Sequence, residues 1–137
     1  MFSPAARRHP GPAPATLLVV GAGGAVGAVL RWALELAVPT TSGWPWGTLL
    51  VNVLGCAAMA ALLVAGEFRS YPSWVRPGLG TGLLGGFTTF STYAVQVAVL
   101  GTAGPLLAAG YLVLTPVLCV GAVVAVGLLA RPGAGEP

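Results

Sequence analysis

Four long apolar runs divide the chain, at residues 15–38, 46–66, 78–101 and 103–130. At about 1.5 Å per residue, each is long enough as a helix to cross a hydrocarbon core of ~30 Å. The pattern therefore predicts an all-α membrane protein with four transmembrane helices joined by short polar connections. The third run is interrupted. Gly85-Gly86-Phe87-Thr88-Thr89-Phe90-Ser91-Thr92-Tyr93 contains no Ala, Val, Ile, Leu or Met. Adjacent glycines weaken a helix through their backbone entropy, and Thr and Ser hydroxyls compete for backbone groups. A third helix broken in mid-membrane is expected here. An unpaired carbonyl in hydrocarbon costs several kcal/mol, so such a break persists only where it is buried in protein or lines a wet path. It points to an ion or solute site.

Composition agrees with the membrane assignment. Hydrophobic residues make up 56% of the 137, charged residues 7%, and lysine and aspartate are absent; a soluble domain carries about 25% charged residues. The spans leave no length for a water-soluble catalytic domain, and no Ser/His/Asp set, metal cluster or mid-span carboxylate pair suggests an enzyme. Six arginines give a net charge of +3, too few and too scattered for nucleic acid. They report orientation instead. Arg7, Arg8, Arg69, Arg76 and Arg131 fall on one side of a four-span topology, while the opposite loop, 40–46, has no basic residue and Arg31 lies inside a span end. The positive-inside rule places both termini of a cell-membrane protein in the cytoplasm, residues 1–14 as a disordered tail and 131–137 as a short one. A signal peptide is the competing reading of the N-terminus, but the apolar run after it is about twice the usual ~7–15 residues. Cys56 and Cys119 lie in spans as small apolar residues, with no Cys/His spacing that suggests a metal.

Polar residues inside the spans carry the remaining information. Gly21-Ala22-Gly23-Gly24-Ala25-Val26-Gly27 lacks the spacing of a dinucleotide fingerprint, and Gly23 and Gly27 read as a small-residue face for close helix packing. Arg31 and Glu35 are spaced i, i+4, which suits either a snorkelling ion pair or a pore vestibule. Thr48, Asn52 and Gly55 share one face of the second span; a lone membrane asparagine is often interhelical glue. Trp32, Trp44 and Trp46 form an interfacial belt. Phe90, Tyr93 and Gln96 follow one another at i+3, and Tyr111, Thr115 and Cys119 form a weakly polar stripe on the fourth span, which Thr115-Pro116 should kink.

In combination these pieces resemble the Fluc, or CrcB, family of fluoride channels. The matching residues are Gly23-Gly24-x-x-Gly27-x-x-x-Arg31-Trp32, Gly47-Thr48-Leu49-x-Val51-Asn52-x-x-Gly55 and, most specifically, Gly85-Gly86-Phe87-Thr88-Thr89-Phe90-Ser91-Thr92. The resemblance implies an antiparallel dimer of four-span subunits with two fluoride pores, and a central structural sodium ion held by backbone carbonyls. Carried over by position, those carbonyls belong to Gly85 and Thr88. The pore residues are Asn52, Phe90, Tyr93, Tyr111 and Thr115, with Arg31 at the vestibule. Tyr93 stands where the family usually has a second phenylalanine, and Thr115 where it usually has serine. The chemistry suits the ion: fluoride holds its water tightly, and amide, hydroxyl and ring-edge donors can replace that water without a fixed cation to trap it.

Two other functions fit four spans, a small multidrug or cation exporter and a non-conducting partner subunit of a heterodimeric fluoride channel. The exporter needs a membrane-embedded acid, for which Glu35 is the candidate. The arginine bias also bears on the partner. A chain that inserts both ways to form its own antiparallel dimer calls for nearly balanced charge, so a second, similar subunit of opposite orientation is expected, with pairing to itself as the alternative.

Overall fold

The computed structural model describes residues 13–41 and 43–130. Apart from residues 13 and 14, both expected tails lie outside the described residues. Pro14, expected in the tail, already opens the first helix, where its fixed φ and missing N–H cost nothing.

Helix α1 runs over Pro14–Ala37 and α2 over Trp46–Phe68. The third span is α3, a π-helix over Arg76–Leu84 that continues as an α-helical turn at Gly85–Phe87, followed after the break by α4 at Ser91–Ala103. The fourth span is α5, Pro105–Leu129. All four spans are long and apolar enough to cross a membrane. The α1–α2 connection turns through Thr41–Trp44, where the Trp44 N–H bonds the Thr41 carbonyl at 3.0 Å and Gly43 takes a φ of 80°, a conformation glycine adopts without strain.

Most span ends differ from the sequence reading by one or two residues, and three differences bear on the site. The third span starts at Arg76 rather than residue 78, and its first half is π-helical: the Gly85 N–H reaches the Gly80 carbonyl, five residues back. Alternating glycines at 78, 80 and 82 are the sequence feature that accompanies this wider winding. The break is also shorter than expected. Gly85 and Gly86 stay helical, and the chain leaves the helix at Thr88, with φ −78° and ψ 157°. Finally, α5 starts at Pro105 rather than residue 103, because proline holds the preceding Gly104 in extended backbone and then occupies the first helical turn.

The helices pack in two ways. Along α1 and α3, backbone meets backbone. A side chain at Gly27 would collide with the Leu83 carbonyl, one at Gly23 with the Gly78 carbonyl, and one at Gly86 with the Gly24 backbone. This is the close approach expected of Gly23 and Gly27; it extends to Gly24, Gly82 and Gly86, and it replaces the hydrophobic driving force that is missing between helices in lipid. Along α2, α4 and α5 a conventional core forms around Leu49, Tyr93, Leu100, Ala108 and Tyr111, with Trp44 edge-on to Tyr111 at 5.7 Å. Helix α5 stays helical through Pro116.

Candidate functional site

One side chain occupies the gap in the third span. Asn52 accepts the Thr89 N–H at Oδ1 (2.8 Å) and donates from Nδ2 to the Thr89 carbonyl (3.0 Å). It is buried on α2, one turn from Thr48 and nearly one from Gly55. A side chain at Gly55 would collide with the Thr88 methyl, so the same helix face that supplies the amide also makes room for the break.

The break changes which carbonyls are satisfied. In an unbroken helix the Thr89 N–H would return to the Gly85 carbonyl, but it goes to Asn52. The Thr92 N–H would return to the Thr88 carbonyl, but it goes to Thr89 Oγ1 at 3.1 Å. Gly85 and Thr88 thus each lose a helical donor to a side chain. The Gly86 carbonyl receives Arg31 Nε at 3.4 Å. Among the described residues no cluster of His, Cys, Asp or Glu could hold a metal. What the break offers a cation is oxygen, in backbone carbonyls and in the hydroxyls of Thr88, Thr89, Ser91 and Thr92, a ligand type suited to hard ions.

Beside the break, α2, α4 and α5 enclose a groove of about 430 Å³. Four of the five expected pore residues line it: Asn52, Phe90, Tyr93 and Thr115. Tyr111 does not. It is fully buried, its ring 5.5 Å from that of Tyr93. Phe90 projects outward with 80% of its surface exposed, while the neighbouring Tyr93, ring to ring at 5.7 Å, is only 7% exposed. The Tyr93 hydroxyl donates to the Leu112 carbonyl at 2.6 Å. The Thr115 hydroxyl oxygen is buried and has no hydrogen-bond partner among the described residues.

Behind the groove runs a chain of hydrogen bonds that sequence reading left in pieces. The Tyr111 hydroxyl donates to Gln96 Oε1 (2.9 Å), Gln96 Nε2 donates to Thr48 Oγ1 (2.8 Å), and the Thr48 hydroxyl donates to Glu35 Oε1 (3.0 Å). Glu35 also faces Arg31 at 3.7 Å, the i, i+4 pair expected on α1. Every donor points toward the carboxylate. The chain ends at a cavity of about 110 Å³ lined by Glu35, Thr40, Thr48 and Gln96. Thr48 and Gln96 each stood out in the sequence as polar residues on an apolar helix. Nothing in the spacing told that they meet.

Comparison with known proteins adds to this geometry. Residues 18–128 match the family model described as CrcB-like protein, Camphor Resistance (CrcB). The chain is 47% identical over 118 residues to the fluoride-specific ion channel FluC 2 of Streptomyces avermitilis, covering 82% of this chain and 74% of that one. It is 46% identical over 108 residues to FluC 1 of Streptomyces coelicolor, covering 77% and 70%. It is also 47% identical over 85 residues to FluC of Bordetella avium, covering 61% and 67%.

Proposed function

This chain belongs to the CrcB/FluC fluoride-specific ion channel family, a family of non-enzymatic transporters, and from that membership we propose that it lets fluoride leave the cytoplasm passively along the groove beside the broken helix. Fluoride enters cells as the membrane-permeant acid HF and dissociates at neutral pH, so a passive exit for the anion lowers its internal concentration. The observation that carries the reading is the set of donors that converges there. Asn52 spends only one of its two amide hydrogens on Thr89, and Thr115 adds a hydroxyl with no other partner. Phe90 and Tyr93 contribute ring edges, the positive rim of the aromatic quadrupole. Tyr111 supports the wall from behind. These weak, spaced donors can replace hydration without a fixed cation, a condition for an ion to leave as readily as it enters.

The Gly85 and Thr88 carbonyls are the candidates to hold a structural sodium ion, because both have lost a helical donor. A bound cation supplies positive charge that offsets the cost of taking an anion out of water nearby. Arg31, tied to Gly86 and Glu35, sits where it can favour anion entry from a vestibule. The acid an exporter would need, Glu35, is engaged by Arg31 and Thr48.

The exposed Phe90 at the break supports an antiparallel dimer in which a second subunit completes the pore. The arginine bias favours a second, similar chain inserted the opposite way, with both termini of this chain cytoplasmic. The test is fluoride release from liposomes containing purified protein, alone and with a candidate partner chain. Release down the gradient, without ATP or a proton gradient, is expected; efflux equal to that of empty liposomes in both preparations overturns the reading.

A further inference from the structure

Pro116 has no N–H, so the Leu112 carbonyl four residues earlier on α5 lacks its regular helical donor. Inside a membrane a carbonyl without a donor is costly. Here the donor is Tyr93. The phenolic hydroxyl crosses from α4 to donate at 2.6 Å, the shortest side-chain hydrogen bond among the described residues. The Tyr93 ring is buried between Phe90 and Tyr111, and Leu112, Thr115 and Pro116 all line the groove. The other side-chain hydrogen bond between α4 and α5 among the described residues, Tyr111 to Gln96, lies behind the groove.

We infer that Tyr93 is a positioning residue whose hydroxyl replaces the backbone donor removed by Pro116 and so fixes the α5 wall, with its Thr115 hydroxyl, at the width the pore needs. Its hydroxyl is therefore spent on the backbone and does not solvate the passing anion. The tyrosine at a position where phenylalanine is usual and the proline on the facing helix form one unit: each accounts for the other. This inference rests on the groove being the fluoride path. Its structural half, the bond between α4 and α5, does not.

The two readings of Tyr93 separate in a cycle of four proteins: wild type, Tyr93→Phe, Pro116→Ala and the double variant. Pro116→Ala returns an N–H to Leu112 and makes the phenol redundant. A fluoride-solvating phenol would be needed in either background. Tyr93→Phe alone is expected to slow fluoride efflux per folded, chromatographically intact protein about tenfold, the effect of one unsatisfied buried carbonyl. It is also expected to lower the melting midpoint in detergent by roughly 5 °C. In the Pro116→Ala background the same change should cost less than about twofold in efflux and leave the midpoint within about 1 °C. Equal losses in both backgrounds overturn the inference, as does a Tyr93→Phe protein as fast and as heat-stable as wild type. If wild type releases no fluoride either alone or with the partner chain, the channel reading fails, and the melting half of the cycle still reports whether the Tyr93–Leu112 bond compensates for Pro116.

Discussion

Asn52 meets Thr89 as one strand residue meets another, accepting its N–H and donating to its carbonyl through a single amide. The side chain thus substitutes for a turn of helix backbone. Under the proposed function Asn52 has two duties, holding the break and offering its remaining N–H to the groove it lines, and the two respond differently to substitution.

Asn52→Leu removes both bonds and leaves two buried backbone groups unpaired, so it should destabilise the folded protein by about 2–4 kcal/mol; the midpoint of detergent melting checks this. Asn52→Asp keeps an acceptor for the Thr89 N–H but sets carboxylate oxygens toward the Thr89 carbonyl and the groove. It is expected to remain folded and to lose most of its fluoride efflux in liposomes, because a negative charge there repels the anion. Normal efflux from Asn52→Asp would show that the amide is not a pore donor.

Gly27→Ala tests the backbone contact between α1 and α3. Its methyl would fall on the Leu83 carbonyl, and forcing the helices apart should cost about 1–3 kcal/mol. Gly21→Ala, on the same helix with nothing within 4 Å of the new methyl, is the control and should match wild type. The yield of monodisperse protein after extraction reads the difference; equal yields contradict the packing described.

The relay behind the groove gives a third test. Thr48→Val is nearly isosteric but breaks the chain in both directions, freeing Gln96 and Glu35 together. A fall in efflux of about fivefold is expected, matching roughly 1 kcal/mol for a lost buried hydrogen bond. Gln96→Leu should produce a similar loss, and the double variant little more than either alone, since the two act through one chain. Additive losses would indicate separate roles.

Orientation can be measured directly. A cysteine placed in the N-terminal tail of a variant lacking Cys56 and Cys119 should label from the cytoplasmic side only, as the arginine bias requires. Even labelling from both sides, with efflux from this chain alone, would identify a dual-topology homodimer instead.

Much of this architecture was legible in the sequence. Span number, the location of the break and the Thr48–Asn52–Gly55 face follow from run length, glycine and hydroxyl content, and helical period. The winding of α3 was not legible, because an i→i+5 helix presents nearly the same residues as an i→i+4 one. Nor was the extent of the break: Gly85 and Gly86 have the composition of a helix end, yet both stay helical, and Gly86 lays its bare backbone against Gly24 of α1. Asn52 was legible as a polar outlier but its partner was not, since Thr89 is engaged through backbone atoms that every residue carries. The carbonyl freed by Pro116 could have been inferred from the sequence. That a tyrosine on another helix would find it could not.

The direction of the donors behind the groove bears on what the membrane must not let through. A row of hydroxyls or waters can pass a proton along by each oxygen accepting one and releasing another. Gln96 cannot take part, because its amide accepts on oxygen and donates from nitrogen, and the two atoms do not exchange roles. The polar thread from Tyr111 to Glu35 therefore works as an insulator for protons. Beside the proposed anion path, a thread interrupted in this way offers protons no continuous route along it.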